Sequence, residues 1–303
     1  MKRIAVLGAG GKIGEAVYKI LSRELDAEFV LFTTEKKLII EDYKDIIIRI
    51  DVTNKSLLKD ELYNYNPEVI INCIAFTNVD LCETEKKTAW ELNTTLVENL
   101  MNISKVLGCH FITFSTDYIF NGNKGPYTEL DKPDPLNYYG KSKLAAENLL
   151  IGNYDKYTII RTNLVYGYSS YNKGDFIKWI ISSLQQNKDI YIVDSLYANP
   201  TLTDDIAEAV MQIIFKSAYG IYNVAGSTYM DRLSIAKEVA KVFTLDETLI
   251  HKTEIAELKQ KAIRPIKGGL VILKAQTELG LHLSSLESGL INLKLQLNKT
   301  YSE

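Results

Sequence analysis

The sequence predicts an α/β fold, a doubly wound parallel sheet with a smaller α-rich region at its C-terminal end. Two patterns and one motif carry the prediction. Short β-branched apolar runs alternate with longer segments of helical periodicity up to residue 165, and the alternation lapses beyond it. A glycine-rich turn, Gly8-Ala9-Gly10-Gly11-Lys12-Ile13-Gly14, joins the first run to the first helical segment. Strand–helix alternation of this kind means parallel strands connected by helices.

The strand segments read as Ile4–Leu7, Phe29–Phe32, Ile46–Ile50, Val69–Ile74, His110–Phe114 and Thr158–Arg161. They are apolar almost throughout rather than alternating, as strands are when helices cover both sheet faces. Between them, Lys12–Glu24, Lys55–Tyr65, Thr84–Leu107 and Leu136–Ile151 repeat apolar residues at helical spacing. Asp134 and Pro135 suit the N-cap and first turn of the last of these. Past residue 165 come a helix over Asp175–Gln186, a short strand at Ile190–Val193 and a helix over Thr203–Phe215. Thr203 is its N-cap, with Asp204 and Asp205 in the first turn. A strand at Ile221–Val224 and a helix capped by Asp231 and running to Phe243 follow. Ser284-Ser285-Leu286-Glu287 is a capping-box signature ahead of Leu290–Leu297. One long irregular stretch, Asn121–Asn137, holds Pro126, Pro133 and Pro135 with Gly122 and Gly125. Such a loop either covers a site or is a surface excursion, and its sequence does not choose between them.

Composition excludes several classes. Of 303 residues, 46% are hydrophobic and 24% charged, with a net charge of −3, so no basic excess invites nucleic acid. The lysine pairs at 36–37 and 86–87 have acidic neighbours and read as solvated surface. No apolar run reaches membrane-spanning length, and Met1-Lys2-Arg3-Ile4 enters the first strand directly, leaving no secretory h-region. Cys73, Cys82 and Cys109 are odd in number and without a CxxC pair, which fits a reducing compartment. The expected location is cytoplasmic. His110, His251 and His282 lie too far apart for a ligand pair, so no metal is expected.

Gly8, Gly11 and Gly14 stand three apart, with Gly10 inside the same turn, between a strand and a helix. That is the context of a dinucleotide (Rossmann) fingerprint. Residues without Cβ let the backbone approach a pyrophosphate, and the helix N-terminus meets its charge; Lys12 and Ile13 lie in the same turn. An acidic residue at the tip of the second strand would bind the adenosine ribose and repel a 2′-phosphate. Here the tip is Thr33, followed by Thr34, and Lys36 and Lys37 come soon after, which favours NADPH over NADH; Glu35 is the opposing sign. Asp51, with Val52 at the end of the third strand, is either a partner for the adenine amino group or an ordinary strand-end aspartate. The reading is a dinucleotide-binding domain over residues 1–165, with return segments near 190–224, and a mainly substrate-binding region over 166–303.

Tyr139 and Lys143 are four apart, so on a helix both face one way. A free tyrosine titrates near 10, too high for efficient proton transfer at neutral pH, and a nearby ammonium lowers that value. Tyr139 can then give its proton to a carbonyl oxygen as hydride reaches the carbon. The rival Tyr138 has Ser142 four residues on, which supplies no charge. Thr116, just after the strand at His110–Phe114, can offer a hydroxyl to the same oxygen. The same spacing also occurs on solvated helix faces, so the pair depends on its context.

That context is a resemblance covering nearly the whole chain. Its residues are Ile71-Asn72-Cys73-Ile74-Ala75-Phe76-Thr77-Asn78-Val79-Asp80, Ser115-Thr116-Asp117-Tyr118-Ile119-Phe120, Tyr139-Gly140-Lys141-Ser142-Lys143-Leu144-Ala145-Ala146-Glu147 and Arg161-Thr162-Asn163-Leu164-Val165-Tyr166-Gly167. Asn199-Pro200-Thr201 and Arg264-Pro265 are later echoes. With these the chain resembles the extended short-chain dehydrogenase/reductases, and among them the dTDP-4-dehydrorhamnose reductase group. The resemblance implies Thr116, Tyr139 and Lys143 as the catalytic set, Ala75 and Thr77 along the cofactor, and Val79, Asp117 and Tyr118 beside the sugar. It implies a reductase of a nucleotide-activated 4-keto-6-deoxy sugar, of the kind used in dTDP-rhamnose and polysaccharide biosynthesis. Dimers are common in the group. Related dehydratases carry Asp-Glu after the catalytic Thr, where this chain has Asp117-Tyr118, so elimination of water is not expected. Rhamnose-pathway reductases generally have Trp where this chain has Leu164, which gives the sugar pocket a different shape. Two other functions are compatible with the resemblance: a non-catalytic NADP-binding regulator like the β subunit of methionine adenosyltransferase, and a sugar-nucleotide epimerase.

Overall fold

The computed structural model describes residues 1–34, 45–170, 174–258 and 260–300. Its centre is a seven-stranded parallel sheet. In chain order the strands are β1 (Lys2–Leu7), β2 (Ala27–Thr33), β3 (Ile46–Arg49), β4 (Val69–Asn72), β5 (His110–Thr116) and β6 (Tyr157–Thr162). Four short strands follow, β7 (Val165–Tyr166), β8 (Ile190–Ile192), β9 (Tyr197–Ala198) and β10 (Thr201–Leu202). Then come the seventh sheet strand, β11 (Gly220–Asn223), and the short β12 (Met230–Asp231) and β13 (Ile250–Lys252). The spatial order is β11-β6-β5-β4-β1-β2-β3. The chain therefore builds outward from β1 to β3, returns, and builds outward again from β4. A crevice opens where the direction reverses, at the C-terminal ends of β1 and β4, and ligands of such sheets bind there. β8 pairs with β13 outside this sheet.

The strand residues alternate between two covered faces. Ile4, Val6, Phe29, Leu31 and Ile71 pack with Val17 and Leu21 of α1 (Lys12–Glu24) and with Ile206, Val210 and Ile213 of α8 (Thr203–Lys216). Ala5, Leu7, Val30, Phe32 and Ile70 pack on the other side. Their partners are α2 (Lys55–Tyr65), α5 (Leu96–Leu107) and α6 (Tyr138–Asn153). Each fully buried Ile or Leu contributes about 1.5–3 kcal/mol, so both faces are needed. A third apolar cluster joins α7 (Phe176–Gln185), α9 (Arg232–Phe243) and α11 (Leu286–Thr300) around Tyr166, with Leu290 and Leu293 buried inside the subunit. The short α10 (Leu273–Leu279) packs beside α8 through Ala275 and Leu279. No helix among the described residues is long and apolar enough to cross a membrane.

Several local expectations are corrected. The helix expected over Thr84–Leu107 is α3 (Val79–Thr84), α4 (Lys86–Trp90), a π turn at Glu91–Thr95, and α5. The π turn directs Asn93 onto the backbone of Phe76, whose N–H it accepts at 2.8 Å and whose carbonyl it meets at 3.1 Å. The N-cap of α6 is Asn137, which accepts from the Gly140 N–H at 2.8 Å. Asp134 is engaged elsewhere, its N–H on Ile119 and its carboxylate accepting from Asn121. Thr203 lies inside α8, its Oγ1 turned to Asp204, and Leu202 takes the cap position. The cap of α11 is made by Ser285, accepting from Ser288 N–H, while Ser284 binds Asp205.

Gly14 and Gly152 predict opposite outcomes. A Cβ on Gly14 would lie 2.2 Å from the Gly8 carbonyl oxygen, whereas Gly152, near the end of α6, has nothing within 4 Å. Gly14→Ala should cost about 1–3 kcal/mol by overpacking the turn. Gly152→Ala should gain about 0.5–1 kcal/mol from helix propensity. Urea unfolding of both variants checks this, and equal effects would contradict the tight packing of the turn.

Candidate active site

The glycine turn builds one wall of the crevice. Gly8 has φ +79 and donates its N–H to the Phe32 carbonyl at 2.9 Å, which folds the chain sharply back over β2. The N-cap of α1 is Gly11, and no side chain among the described residues caps it. The first N–H groups of α1 therefore remain open toward the cavity, as an anion site requires. Gly11, Lys12 and Ile13 line a cavity of about 670 Å³. Lys12 forms an ion pair with Asp175, whose other oxygen caps α7 by accepting from the Lys178 N–H at 2.8 Å. Burial pulls Lys12 below the ordinary lysine value, and Asp175 opposes that shift.

The opposite wall is the segment after β4. Cys73, Ile74, Ala75, Thr77 and Val79 face the cavity. Asn72 Oδ1 accepts from the Ile74 N–H at 3.1 Å, and Asn93 holds Phe76, so the backbone between these points is fixed at both ends. Asn93 also donates to Ser142 Oγ at 3.0 Å, and the Thr94 hydroxyl donates to the Ser142 carbonyl at 2.9 Å. The π turn thus couples the cavity-lining segment after β4 to α6.

Thr116, Tyr139 and Lys143 all line this cavity. Thr116 ends β5, accepts from the Tyr118 N–H at 3.2 Å and lies in hydrogen-bond reach of the Tyr139 phenol. The Tyr118 and Tyr139 rings meet edge to face at 6.0 Å. Burial pushes the Tyr139 phenol well above the ordinary tyrosine value, against a smaller opposing effect of Thr116. The net shift is upward, against the lowering expected from Lys143, because burial dominates. The phenol is held protonated because burial outweighs the hydrogen bond. Lys143 is 4% exposed, and burial lowers it to about 8. Asp117 is buried, its Oδ2 accepting from Asn163 and from the Gly269 N–H, both at 3.0 Å. It ties the ends of β5 and β6 to the C-terminal loop.

Leu164, Leu196, Tyr197, Ala198, Arg232 and Pro265 close the far end. Leu164 has φ +39, a left-handed conformation that a leucine adopts only under constraint. Asp80 of α3 holds the loop that carries Pro265. Its carboxylate accepts from Arg264 at 3.0 and 2.6 Å and from the Ala262 N–H at 2.9 Å. The Arg264 guanidinium keeps Asp80 down at about 2. Arg232 Nε is buried with no hydrogen-bond partner among the described residues, and the guanidinium lies 4.7 Å from the Phe176 ring centroid.

Twelve expected residues thus share one cavity: Gly11, Lys12, Ile13, Ala75, Thr77, Val79, Thr116, Asp117, Tyr118, Tyr139, Lys143 and Leu164. Gly8 and Gly14 are not among the residues that line it. Thr33, Asp51 and Val52 sit at the C-terminal ends of β2 and β3, along the sheet edge away from the cavity. Asp51 already accepts from Thr53 N–H and Oγ1 at 2.9 and 2.8 Å. Glu35, Lys36 and Lys37 fall outside the described residues. The loop 121–137 contributes nothing to the cavity lining. It is laced to the C-terminal loop instead, Lys267 N–H on the Gly122 carbonyl and Tyr127 N–H on that of Gly269. Asp175 and Arg232 went unrecognised in the sequence. For Arg232 there was a signal: a cation at the first position of a helix opposes the helix dipole, and such a local conflict marks a functional position. No group of three or more potential metal ligands occurs among the described residues.

Comparison with known proteins agrees with this geometry. The family described as "RmlD substrate binding domain" matches residues 1–298. The chain is 31% identical to a dTDP-4-dehydrorhamnose reductase of Aggregatibacter actinomycetemcomitans, over 97% of this chain and 99% of the relative. It is 28% identical to the β subunit of methionine adenosyltransferase 2 of Xenopus laevis, over 80% and 73%. The crystal structure of a Bacillus anthracis dTDP-4-dehydrorhamnose reductase in complex with NADP superposes with a TM-score of 0.87 at 26% identity, covering 97% and 99%. A fold and a sequence that match over nearly their full length, around a cavity already recognisable on its own residues, make this chain a member of the RmlD substrate-binding-domain family.

Proposed function

We propose that the chain is an NADPH-dependent reductase of a nucleotide-activated 4-keto-6-deoxy sugar, with Tyr139 as proton donor. The observation that carries this reading is a buried Tyr139 phenol in reach of the Thr116 hydroxyl, lining the same cavity as Lys143 and an uncapped helix N-terminus. The open N–H groups of α1 would hold the pyrophosphate of NADPH and Lys143 would orient its nicotinamide ribose. The cofactor would supply hydride for the keto carbon. Tyr139 gives its proton to the carbonyl oxygen as that oxygen gains charge, and the Thr116 hydroxyl donates a hydrogen bond to the same oxygen. The Lys143 ammonium stabilises the phenolate left behind. Arg232 Nε has no hydrogen-bond partner among the described residues, and the side chain lines the cavity, which suits an anionic substrate such as a sugar diphosphate.

The preference for NADPH is supported by Thr33 at the tip of β2 and by NADP in the Bacillus anthracis relative. Division near residue 165 into a cofactor half and a substrate half belongs to the same proposal, as does a cytoplasmic location, which fits three free cysteines. A second reading is favoured by the likeness to the methionine adenosyltransferase subunit: a nucleotide-binding regulator without turnover. The complete Thr116, Tyr139 and Lys143 set favours the enzyme.

The test is absorbance at 340 nm with NADPH or NADH and a panel of nucleotide-linked 4-keto-6-deoxy sugars. Oxidation with one member is expected. Tyr139→Phe should cut kcat by about 10²–10⁴ while leaving NADPH binding in place. Near wild-type turnover in that variant would overturn the role of Tyr139. Tight NADPH binding without oxidation by the wild type would favour the regulator. The pH profile has a defined sign. Lys143 must be charged, and it loses its proton as pH rises through about 8. In kcat/KM for the cofactor, which reports the free enzyme, activity should fall on the alkaline side near that pH, and a flat profile to pH 10 would contradict it.

A further inference from the structure

Burial works against the charge that Lys143 needs, and one carboxylate opposes it. Glu147 lies four residues further along α6, one turn on and on the same face, and is 2% exposed. Among the charged neighbours it is the group that raises Lys143. Both Glu147 oxygens are held by Arg161 of β6, Nε donating to Oε1 at 3.1 Å and Nη2 to Oε2 at 2.7 Å. Arg161 is itself immobilised. Its Nη1 donates to the Glu129 carbonyl at 3.3 Å, its guanidinium lies 5.4 Å from the Phe120 ring centroid, and its backbone is paired on both sides within the sheet. The carboxylate is therefore fixed in place relative to the helix that carries Lys143.

Other ionisable groups compete little. Tyr139 on the same helix, Cys73 after β4 and Tyr118 after β5 are held neutral by burial. Asp117 is turned toward Asn163 and Gly269. The π turn presents neutral Asn93 and Thr94 to Ser142. On the β6 side, Tyr157 faces Glu147 and Asp155 and is kept neutral by burial, and the Glu129 carboxylate accepts from the Asn223 N–H. Stability alone does not account for the pair, because a buried ion pair is often no better for stability than apolar residues of the same volume.

We propose that Glu147 is a positioning residue for Lys143: clamped by Arg161 one helical turn away, its carboxylate keeps the Lys143 ammonium protonated over the working pH range. The use made of that ammonium rests on the reductase reading; the charge coupling is a property of the protein without substrate.

The test is a side-chain NMR titration of Lys143 in protein carrying isotope-labelled lysine, with the resonance assigned by Lys143→Met. In Glu147→Gln the Lys143 midpoint should fall by about one pH unit. That variant leaves Arg161 buried and unpaired and can fail to fold. The double variant Glu147→Gln/Arg161→Met leaves no unpaired guanidinium and should lower the midpoint as well. Arg161→Met alone, which frees the Glu147 charge, should raise it. The alkaline limb of activity should move with each midpoint, a shift that lost packing would not produce. An unchanged midpoint in the folded double variant would overturn the proposal. Midpoints that move in a protein turning over no keto sugar would uphold the coupling and remove the reductase reading; turnover with fixed midpoints would do the reverse.

Discussion

Gly140 lets α6 come so close to the turn after β5 that a Cβ there would lie 2.1 Å from the Tyr118 carbonyl oxygen. The site depends on this approach. Thr116 is fixed at the end of a central strand, and Tyr139 is fixed to a helix; they meet only if the helix start abuts the strand end. Two further attachments keep α6 at that distance. Ser142 is gripped by Asn93 and Thr94 of the π turn, and Glu147 by Arg161 of β6. Along one helix, Gly140 grants contact with β5, Ser142 gives registry with the segment after β4, and Glu147 ties to β6. Each turn of α6 thus refers the reactive groups to a different strand of one rigid sheet.

Burial then sets the chemistry. The same desolvation raises Tyr139 and lowers Lys143, because it penalises whichever form is charged. Tyr139 is consequently kept protonated while Lys143 holds its proton less tightly than an ordinary lysine. This arrangement suits the proposed reduction, where the proton must be present before hydride arrives. The far end of the cavity shows the complementary strain. Arg232 sits at the first position of α9 against the helix dipole, its Nε without a hydrogen bond among the described residues, while Leu164 adopts a left-handed backbone. Both are local costs to the fold of the sort that gathers at binding sites.

Much of the fold was legible because its signals are local. α1 and α2 begin and end at Lys12–Glu24 and Lys55–Tyr65, as their periodicity indicated, and Asp231 caps α9 through the Ser234 N–H. What the sequence hid was decided by distant partners. Nothing within Thr84–Leu107 announces the π turn, which exists because Asn93 binds the backbone of Phe76 across the site. Asp134 has the right chemistry for a cap but is taken by Asn121, so Asn137 caps instead. The proline-rich loop looked able to cover the site and is instead a brace for the C-terminal segment that carries Pro265. The reactive set was readable because Tyr139 and Lys143 lie on one helix face. Arg232 joins the cavity only through tertiary packing.

The most direct test of the account follows the hydride itself. NADPH carrying deuterium at the transferable C4 position would be supplied with the nucleotide-linked keto sugar, and the product examined by NMR. The account predicts deuterium on the carbon that had been the ketone, in stoichiometric amount and without deuterium elsewhere on the ring. A product without deuterium at that carbon, or unreacted sugar beside tightly bound cofactor, would contradict it.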